Sequence, residues 1–262
     1  MTEPFPIRVD QRGAAAVWTI DRADRRNALS SAAVLAFGKL AREAEANASI
    51  RAIVVTGAGD VAFCAGADLK ERQGMSDDDV RAQVERYRTE LGLVARSSKP
   101  VVAAINGVAL GGGLELALCC DLRVASAGAR LGLPETSLGI IPGAGGTQRL
   151  PRIVGEGRAK EMILLGRTLT ASEALSWGLV HRVTPAGQSV VDDALEWIRP
   201  ILEGAPIAQA AALAAIDRAL DVSLDVGLEL EKVSYDRTLV SHDRREALAA
   251  FAEKRTPRFQ GR

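Results

Sequence analysis

Two glutamates lie in segments that are otherwise apolar or turn-forming, where a charged side chain is unusual. Glu115 opens an apolar helical stretch between Leu114 and Leu116, and Glu135 lies in a segment of apolar and turn-forming residues, 131–142. Burying an unpaired carboxylate is costly, so chance placement is disfavoured. If the two side chains converge, they could hold a water molecule between them and exchange protons with carbon.

Each glutamate also has a structural interpretation. Glu115 could be a buried carboxylate paired with Arg123 or Arg149, because buried ion pairs also occur. Glu135 could be a solvent-facing loop residue or the first residue of a helix, with which the preceding Pro134 is compatible. The residues alone leave these alternatives open.

A glycine triplet, Gly111 to Gly113, follows a predicted buried strand and precedes Glu115. Glycines let the backbone approach a ligand closely, and the free N–H groups at a helix start favour negative charge. The triplet lacks the spacing of a dinucleotide loop, and the sequence has no phosphate-binding loop ending in Gly-Lys-Ser/Thr. The glycine-rich segment 143–146 lacks the acidic residue expected about 20 positions after a dinucleotide loop. Nucleotide binding is therefore disfavoured.

For the cysteine and histidines that could also be reactive, the surrounding sequence favours structural roles. Segment 63–70 predicts a tight turn between a strand and a helix, where Cys64 is a small buried residue. His181 lies in a predicted strand, His242 precedes a charged helix, and no Gly-x-Ser-x-Gly motif accompanies them. We expect neither histidine to be catalytic and expect no metal site.

The sequence predicts short apolar strands that alternate with helices, and this alternation indicates an α/β fold. These elements would position the residues discussed above. Strands are predicted at 14–20, 52–56 and 100–105, with helices at 27–46 and 80–95. From about residue 200 only helices are predicted, at 208–220, 224–240 and 243–253. We therefore divide the chain into a core, 1–200, that carries the active site and a helical region, 201–262, suited to subunit contacts.

Composition narrows the possible functions. The 262 residues include 33 basic and 33 acidic side chains, so no global field attracts nucleic acid or an anionic membrane. Three cysteines, two of them adjacent, form no disulfide pattern. The N-terminus lacks the features of a secretory signal, and no apolar stretch has the length of a membrane span. We expect a cytoplasmic protein.

Five separated motifs, taken in order, resemble the crotonase family, also called the enoyl-CoA hydratase/isomerase superfamily. They are 25–29 (RRNAL), 63–70 (FCAGADLK), 106–121, 134–150 and 251–255 (FAEKR). The resemblance implies a spiral of ββα repeats with a C-terminal helical trimerisation region. It also implies an acyl-CoA thioester substrate, assembly as a trimer or dimer of trimers, and no cofactor besides the coenzyme A of the substrate.

The resemblance also assigns roles by position. The backbone N–H groups of Ala67 and Gly112 would form an oxyanion hole for the thioester carbonyl, and Glu115 and Glu135 would be the catalytic acids of a hydratase. An isomerase, which shifts the double bond with one carboxylate, is the alternative. Residues implied in binding coenzyme A are Arg25, Ala65, Ala67, Asp68, Leu69, Lys70, Phe251 and Lys254.

Segments 64–72, 114–118 and 253–258 are similar to the methylglutaconyl-CoA hydratase branch, which includes an RNA-binding homologue. That branch implies a substrate from leucine or isovalerate metabolism. The lysine-rich helix of the RNA-binding homologue corresponds here to 31–51, where Lys39, Arg42 and Arg51 are offset by Glu43 and Glu45. Because RNA affinity depends on accumulated positive charge, RNA binding is not expected.

Overall fold

A computed structural model describes residues 5–262, which form two β-sheets surrounded by helices. The larger sheet has the strand order β1-β2-β3-β5-β7-β10, and the smaller one has the order β4-β6-β8-β9. The strands are β1 (Ile7–Arg12), β2 (Ala15–Ile20), β3 (Ala52–Gly57), β4 (Ala62–Cys64), β5 (Val101–Ile105), β6 (Val108–Leu110), β7 (Leu122–Ser126), β8 (Arg130–Gly132), β9 (Thr168–Thr170) and β10 (Arg182–Thr184).

From β3 to β8, successive strands alternate between the two sheets. β3, β5 and β7 pair in parallel in the larger sheet, and the strand after each of them, β4, β6 or β8, belongs to the smaller sheet. Within residues 5–262, only β1–β2 and β8–β9 pair in antiparallel fashion. The repeated strand pair followed by helix is the crotonase spiral that the motifs imply.

Twelve α-helices cover these sheets within residues 5–262. They are α1 (Ser31–Ala46), α2 (Leu69–Arg72), α3 (Asp77–Ala95), α4 (Gly112–Leu118), α5 (Gly146–Val154), α6 (Glu156–Leu164), α7 (Ala171–Ser176), α8 (Val190–Trp197), α9 (Arg199–Glu203), α10 (Pro206–Ile216), α11 (Leu224–Leu239) and α12 (His242–Glu253). None is both long and apolar enough to cross a membrane.

The strands β2, β3 and β5 of the larger sheet are buried on both faces, which explains why β3 is an unbroken apolar run. Ile53 and Val55 face the main core with Phe37 of α1, whereas Val54 faces the opposite side with Ala194 of α8. Neighbouring residues of one strand therefore belong to different cores, as the two-residue period of a strand requires.

Two local expectations need correction. The predicted helix at residue 27 begins at Ser31, because Arg26 and Asn27 adopt positive φ angles and the Ser30 hydroxyl accepts a hydrogen bond from the Ala33 amide as N-cap. His181 precedes β10 rather than lying in a strand, and its Nδ1 accepts a hydrogen bond from the Arg123 amide.

The last three helices bury few of their own side chains. α11 has no buried residue, and α10 buries only Ala211. Arg51 fastens this region to the core through the carbonyls of Gly204 and Phe259, while buried Asp243 accepts hydrogen bonds from the amides of Gln260 and Gly261. The division at residue 200 and the subunit-contact role stay predictions.

Candidate active site

A cavity of about 1040 Å³ brings both glutamates to one place. Its walls come from the segment after β4, from α2 and α3, from the start of α4, and from the loop between β8 and α5. Lining residues include Ala65, Gly66, Ala67, Leu69, Gly111, Gly112, Glu115, Glu135, Ile140, Gly143 and Ala144. The cavity therefore brings both carboxylates together with glycine-rich backbone that a ligand can approach.

The start of α4 places Glu115 against the cavity. Gly111 has a φ of 53°, a conformation that glycine adopts readily, and its carbonyl accepts a hydrogen bond from the Glu115 amide. A Cβ on Gly113 would lie 2.0 Å from the carbonyl oxygen of Cys64. These glycines allow the helix to begin against the β4 segment, one turn before the glutamate.

Glu115 is a buried carboxylate without an ion-pair partner among residues 5–262. It is 3% exposed, and its Oε1 accepts hydrogen bonds from the amides of Ala144 (2.8 Å) and Gly146 (2.7 Å). Arg123 and Arg149 instead donate to backbone carbonyls, so the ion-pair interpretation is wrong. Burial raises the pKa of Glu115, and the two amides oppose that rise by stabilising the anion.

Glu135 is held differently, as the first residue of the 3₁₀ turn Glu135–Leu138. It is only 8% exposed, so the solvent-facing interpretation is wrong. Its Oε2 is buried without a hydrogen-bond partner among the described residues. Burial, together with the negative charge of Glu115, raises the pKa of Glu135 to about 7.

Two backbone amides line the same cavity beside the glutamates. The peptide groups flanking Ala67 are fixed, because the Leu29 amide donates to the Gly66 carbonyl (2.8 Å) and the Asp68 amide donates to the Leu29 carbonyl (3.0 Å). An ideal Cβ on Gly112 would lie 3.5 Å from the Ala67 nitrogen. Neither the Ala67 nor the Gly112 N–H donates to a residue within 5–262, so both are free to bind a ligand oxygen.

A partly buried ion pair that the sequence did not predict braces the Ala67 segment. Arg22 Nη2 lies 2.9 Å from Asp68 Oδ2, and Arg22 Nη1 donates to the Ala28 carbonyl at 2.5 Å. Asp68 Oδ1 also accepts a hydrogen bond from the Lys70 amide, capping α2. The Asp68 carboxylate is thus engaged by groups of the protein itself, and the expected place of Asp68 on the coenzyme A surface stays a prediction.

The expected coenzyme A residues divide into two groups. Ala65, Ala67 and Leu69 line the cavity, whereas Arg25, Lys70, Phe251 and Lys254 do not. Lys70 is exposed on α2, Arg25 lies 3.4 Å from Asp24, and Phe251 is 86% exposed on α12. The roles of all these residues toward coenzyme A stay predictions.

Segment 143–146, considered above as a nucleotide loop, has a different position in the structure. Its amides at Ala144 and Gly146 hold Glu115, and a Cβ on Gly146 would lie 3.0 Å from Glu115 Oε1. In the sequence, the close spacing of its glycines marks the segment as unusual, but the spacing does not indicate that its amides bind Glu115. Among residues 5–262, no cluster of three potential metal ligands occurs.

The arrangement is suited to proton transfer next to a polarised carbonyl. Two free amides can stabilise an oxyanion, and two carboxylates in different environments can take and give protons within one cavity. Paired acids in environments that treat the charged form differently are typical of general acid–base sites.

Comparisons with known proteins agree with this geometry. The family model described as enoyl-CoA hydratase/isomerase matches residues 10–262. Human mitochondrial methylglutaconyl-CoA hydratase is 42% identical over 245 residues, covering 92% of this chain and 72% of the relative. Mouse mitochondrial enoyl-CoA hydratase domain-containing protein 2 is 42% identical over 246 residues, covering 93% of this chain and 83% of the relative.

Solved structures give the same result. The crystal structure of enoyl-CoA hydratase from Bacillus anthracis matches with a TM-score of 0.95 and 45% identity, covering 98% of this chain and 100% of that one. Sequence, fold and an extended family match therefore agree, and the chain belongs to the enoyl-CoA hydratase/isomerase, or crotonase, family.

Proposed function

We propose that this protein is a hydro-lyase that adds water across the C2=C3 bond of a 2-enoyl-CoA and catalyses the reverse dehydration. The observation that carries the proposal is the presence of Glu115 and Glu135 in one cavity with the free amides of Ala67 and Gly112. Coenzyme A enters as part of the substrate, and the reaction needs no other cofactor.

The reaction begins with polarisation of the thioester. The carbonyl oxygen accepts hydrogen bonds from the Ala67 and Gly112 amides, which stabilise the charge that develops as water adds to C3. One oxyanion-hole donor is typically worth roughly 10² to 10³ in rate. The N-terminus of α4, where Gly112 lies, adds a favourable dipole.

The two carboxylates then divide the proton transfers. Glu115 orients the water and accepts one of its protons as the oxygen bonds to C3, and Glu135 donates a proton to C2. Glu115 ends protonated and Glu135 ionised, and proton exchange with solvent restores the starting state. The pKa of about 7 lets Glu135 carry this proton near neutral pH, whereas the amides of Ala144 and Gly146 favour the Glu115 anion.

Three finer assignments are part of the proposal: the acyl group of the substrate, the oligomeric state and the cellular compartment. The name of the human relative makes 3-methylglutaconyl-CoA, and hence leucine or isovalerate metabolism, the first specific substrate to test. Exposed apolar side chains on α11, including Leu224, Leu228 and Val233, support assembly as a trimer or dimer of trimers. Three free, buried cysteines are compatible with a reducing cytoplasm.

RNA binding receives no support from the charges on α1. Lys39 lies 3.7 Å from Glu43, and Arg42 lies 3.2 Å from Glu90. These cations are already paired, so the helix offers little free positive charge to phosphates.

Absorbance of the conjugated thioester tests the proposal directly. We expect crotonyl-CoA to lose this absorbance and to give 3-hydroxybutyryl-CoA, and we expect rates to differ among crotonyl-, 3-methylcrotonyl- and 3-methylglutaconyl-CoA. Chromatographic recovery of an isomerised 3-enoyl-CoA without a 3-hydroxy product would instead establish the isomerase alternative.

A further inference from the structure

One cationic side chain in the cavity is fixed in position but not neutralised. Arg72, the last residue of α2, lines the cavity and donates from Nε to Gln83 Oε1 at 2.8 Å. Gln83 lies on α3 and is 2% exposed, with its Nε2 3.4 Å from Ser31 Oγ. A neutral, buried amide therefore holds the guanidinium without cancelling its charge.

Arg72 has no carboxylate within 4.0 Å among residues 5–262, and its two Nη groups donate no hydrogen bond there. The adjacent Glu71 is not available, because its carboxylate accepts hydrogen bonds from the amide and hydroxyl of Ser31. Arg88, the other arginine of the cavity wall, is exposed and lies 3.5 Å from Glu85. Arg72 thus differs from Arg88 in presenting an unpaired planar donor to the cavity.

Apart from Glu115 and Glu135, which lie more than 4.0 Å from its nitrogens, the cavity that Arg72 lines offers little to replace a counter-ion, although its charge is felt at Glu115. Apolar residues of α3 and of the loop before α5 form much of the wall: Val80, Val84, Leu138, Ile140 and Ile141. The Tyr87 hydroxyl already donates to the Leu29 carbonyl at 2.6 Å. A guanidinium beside apolar walls gains most from a bidentate anion, because its fork of donors matches a carboxylate.

We propose that Arg72, held by Gln83, binds a carboxylate at the distal end of the acyl chain, so that the preferred substrates are short 2-enoyl-CoA thioesters that are themselves acids. This inference rests on the proposed function, because it takes the cavity to bind the acyl group. It goes further by assigning a specificity residue and the chemical feature that the residue recognises.

A matched substrate pair isolates the carboxylate. Glutaconyl-CoA and 2-pentenoyl-CoA have acyl chains of equal length and differ in a terminal carboxylate against a methyl group. We expect the wild type to have the higher kcat/KM for hydration of glutaconyl-CoA. In Arg72→Met, the ratio of the two kcat/KM values should fall by roughly 10- to 100-fold, the usual worth of a charge-assisted hydrogen-bonded pair.

Two further variants sharpen the test. Arg72→Lys keeps the charge but loses the planar fork and the Nε bond to Gln83, so its ratio should lie between those of the wild type and Arg72→Met. Arg88→Met removes the other cavity arginine and should change the ratio less than twofold. Circular dichroism melting curves identify any variant that fails to fold.

A second measurement separates failure of this inference from failure of the proposed function. The unreactive glutaryl-CoA and pentanoyl-CoA can be compared by calorimetric titration whether or not the protein hydrates anything. Tighter binding of glutaryl-CoA that disappears in Arg72→Met supports the carboxylate site. Equal binding of the two thioesters by the wild type overturns it, as does an equal loss of rate on both enoyl substrates, which would mean that Arg72 acts through Glu115.

Discussion

Glu115 and Glu135 face the same cavity, but the segments that carry them offer a negative charge very different surroundings. The carboxylate on α4 meets two amides from the loop before α5, whereas the carboxylate on the 3₁₀ turn leaves one oxygen buried without a partner. Burial raises the pKa of both groups, to about 7 for Glu135, and at Glu115 the amides of Ala144 and Gly146 oppose the rise. The contrast supports the proposed roles of Glu115 as base and Glu135 as acid.

Removing either carboxylate should have the largest effect. Glu115→Gln and Glu135→Gln should each lower kcat for hydration of crotonyl-CoA by about 10³-fold, within the range of general acid–base catalysis. Exchange of the C2 proton of butyryl-CoA with deuterated water, followed by mass spectrometry, separates the two roles. That exchange needs Glu135 and the oxyanion hole but no addition of water, so Glu115→Gln should retain it. Equal loss of exchange in both variants would contradict the division of roles.

A smaller effect is expected from disturbing the amides that hold Glu115. In Gly146→Ala the new Cβ would lie 3.0 Å from Glu115 Oε1 and 2.8 Å from the Pro142 Cβ. The displacement should lower kcat by roughly 10- to 100-fold, since a misplacement of about 1 Å can cost that much. Steady-state kinetics check this against Gly157→Ala, where the added Cβ meets no atom within 4 Å and kcat should stay unchanged.

The pH dependence of kcat/KM tests the acid directly. Hydration needs protonated Glu135, so kcat/KM should fall about tenfold per pH unit above a pKa of about 7. Dehydration of 3-hydroxybutyryl-CoA starts from ionised Glu135 and protonated Glu115, which again is one proton on the pair. Its kcat/KM should therefore fall over the same pH range, as the pH-independent equilibrium of hydration requires. Steady-state profiles in both directions check the sign, and a kcat/KM for hydration that does not fall above pH 7 would remove Glu135 from the acid role.

The smallest effect concerns stability. Because the pKa of Glu135 is raised from 4.5 to about 7 on folding, its contribution to stability is fully present below pH 4.5 and is lost as pH rises through 7. Glu135→Gln does not titrate, so its melting temperature should exceed that of the wild type by a few degrees at pH 8. The difference should shrink toward pH 5, as differential scanning calorimetry can show.

Much of the architecture could be predicted because its signals are local. The apolar run of β3 and the helical spacing of α1 and α11 arise from side-chain periods of two and 3.6 residues, which a single segment displays. The first residue of α1 could not be predicted in this way. It depends on the positive φ angles of Arg26 and Asn27, and Asn27 is held by the carbonyls of Ala58 and Ala62, more than 30 residues away.

By itself the sequence determined the α/β class, the family motifs and the two glutamates that apolar surroundings made conspicuous. Only the tertiary structure decided what each charge contacts: Glu115 meets the amides of 144 and 146, Asp68 meets Arg22, and Arg72 meets Gln83. The physical reason is that burial patterns repeat within one element, whereas these partners lie 11 to 46 positions apart and become neighbours only when strands, helices and loops pack together.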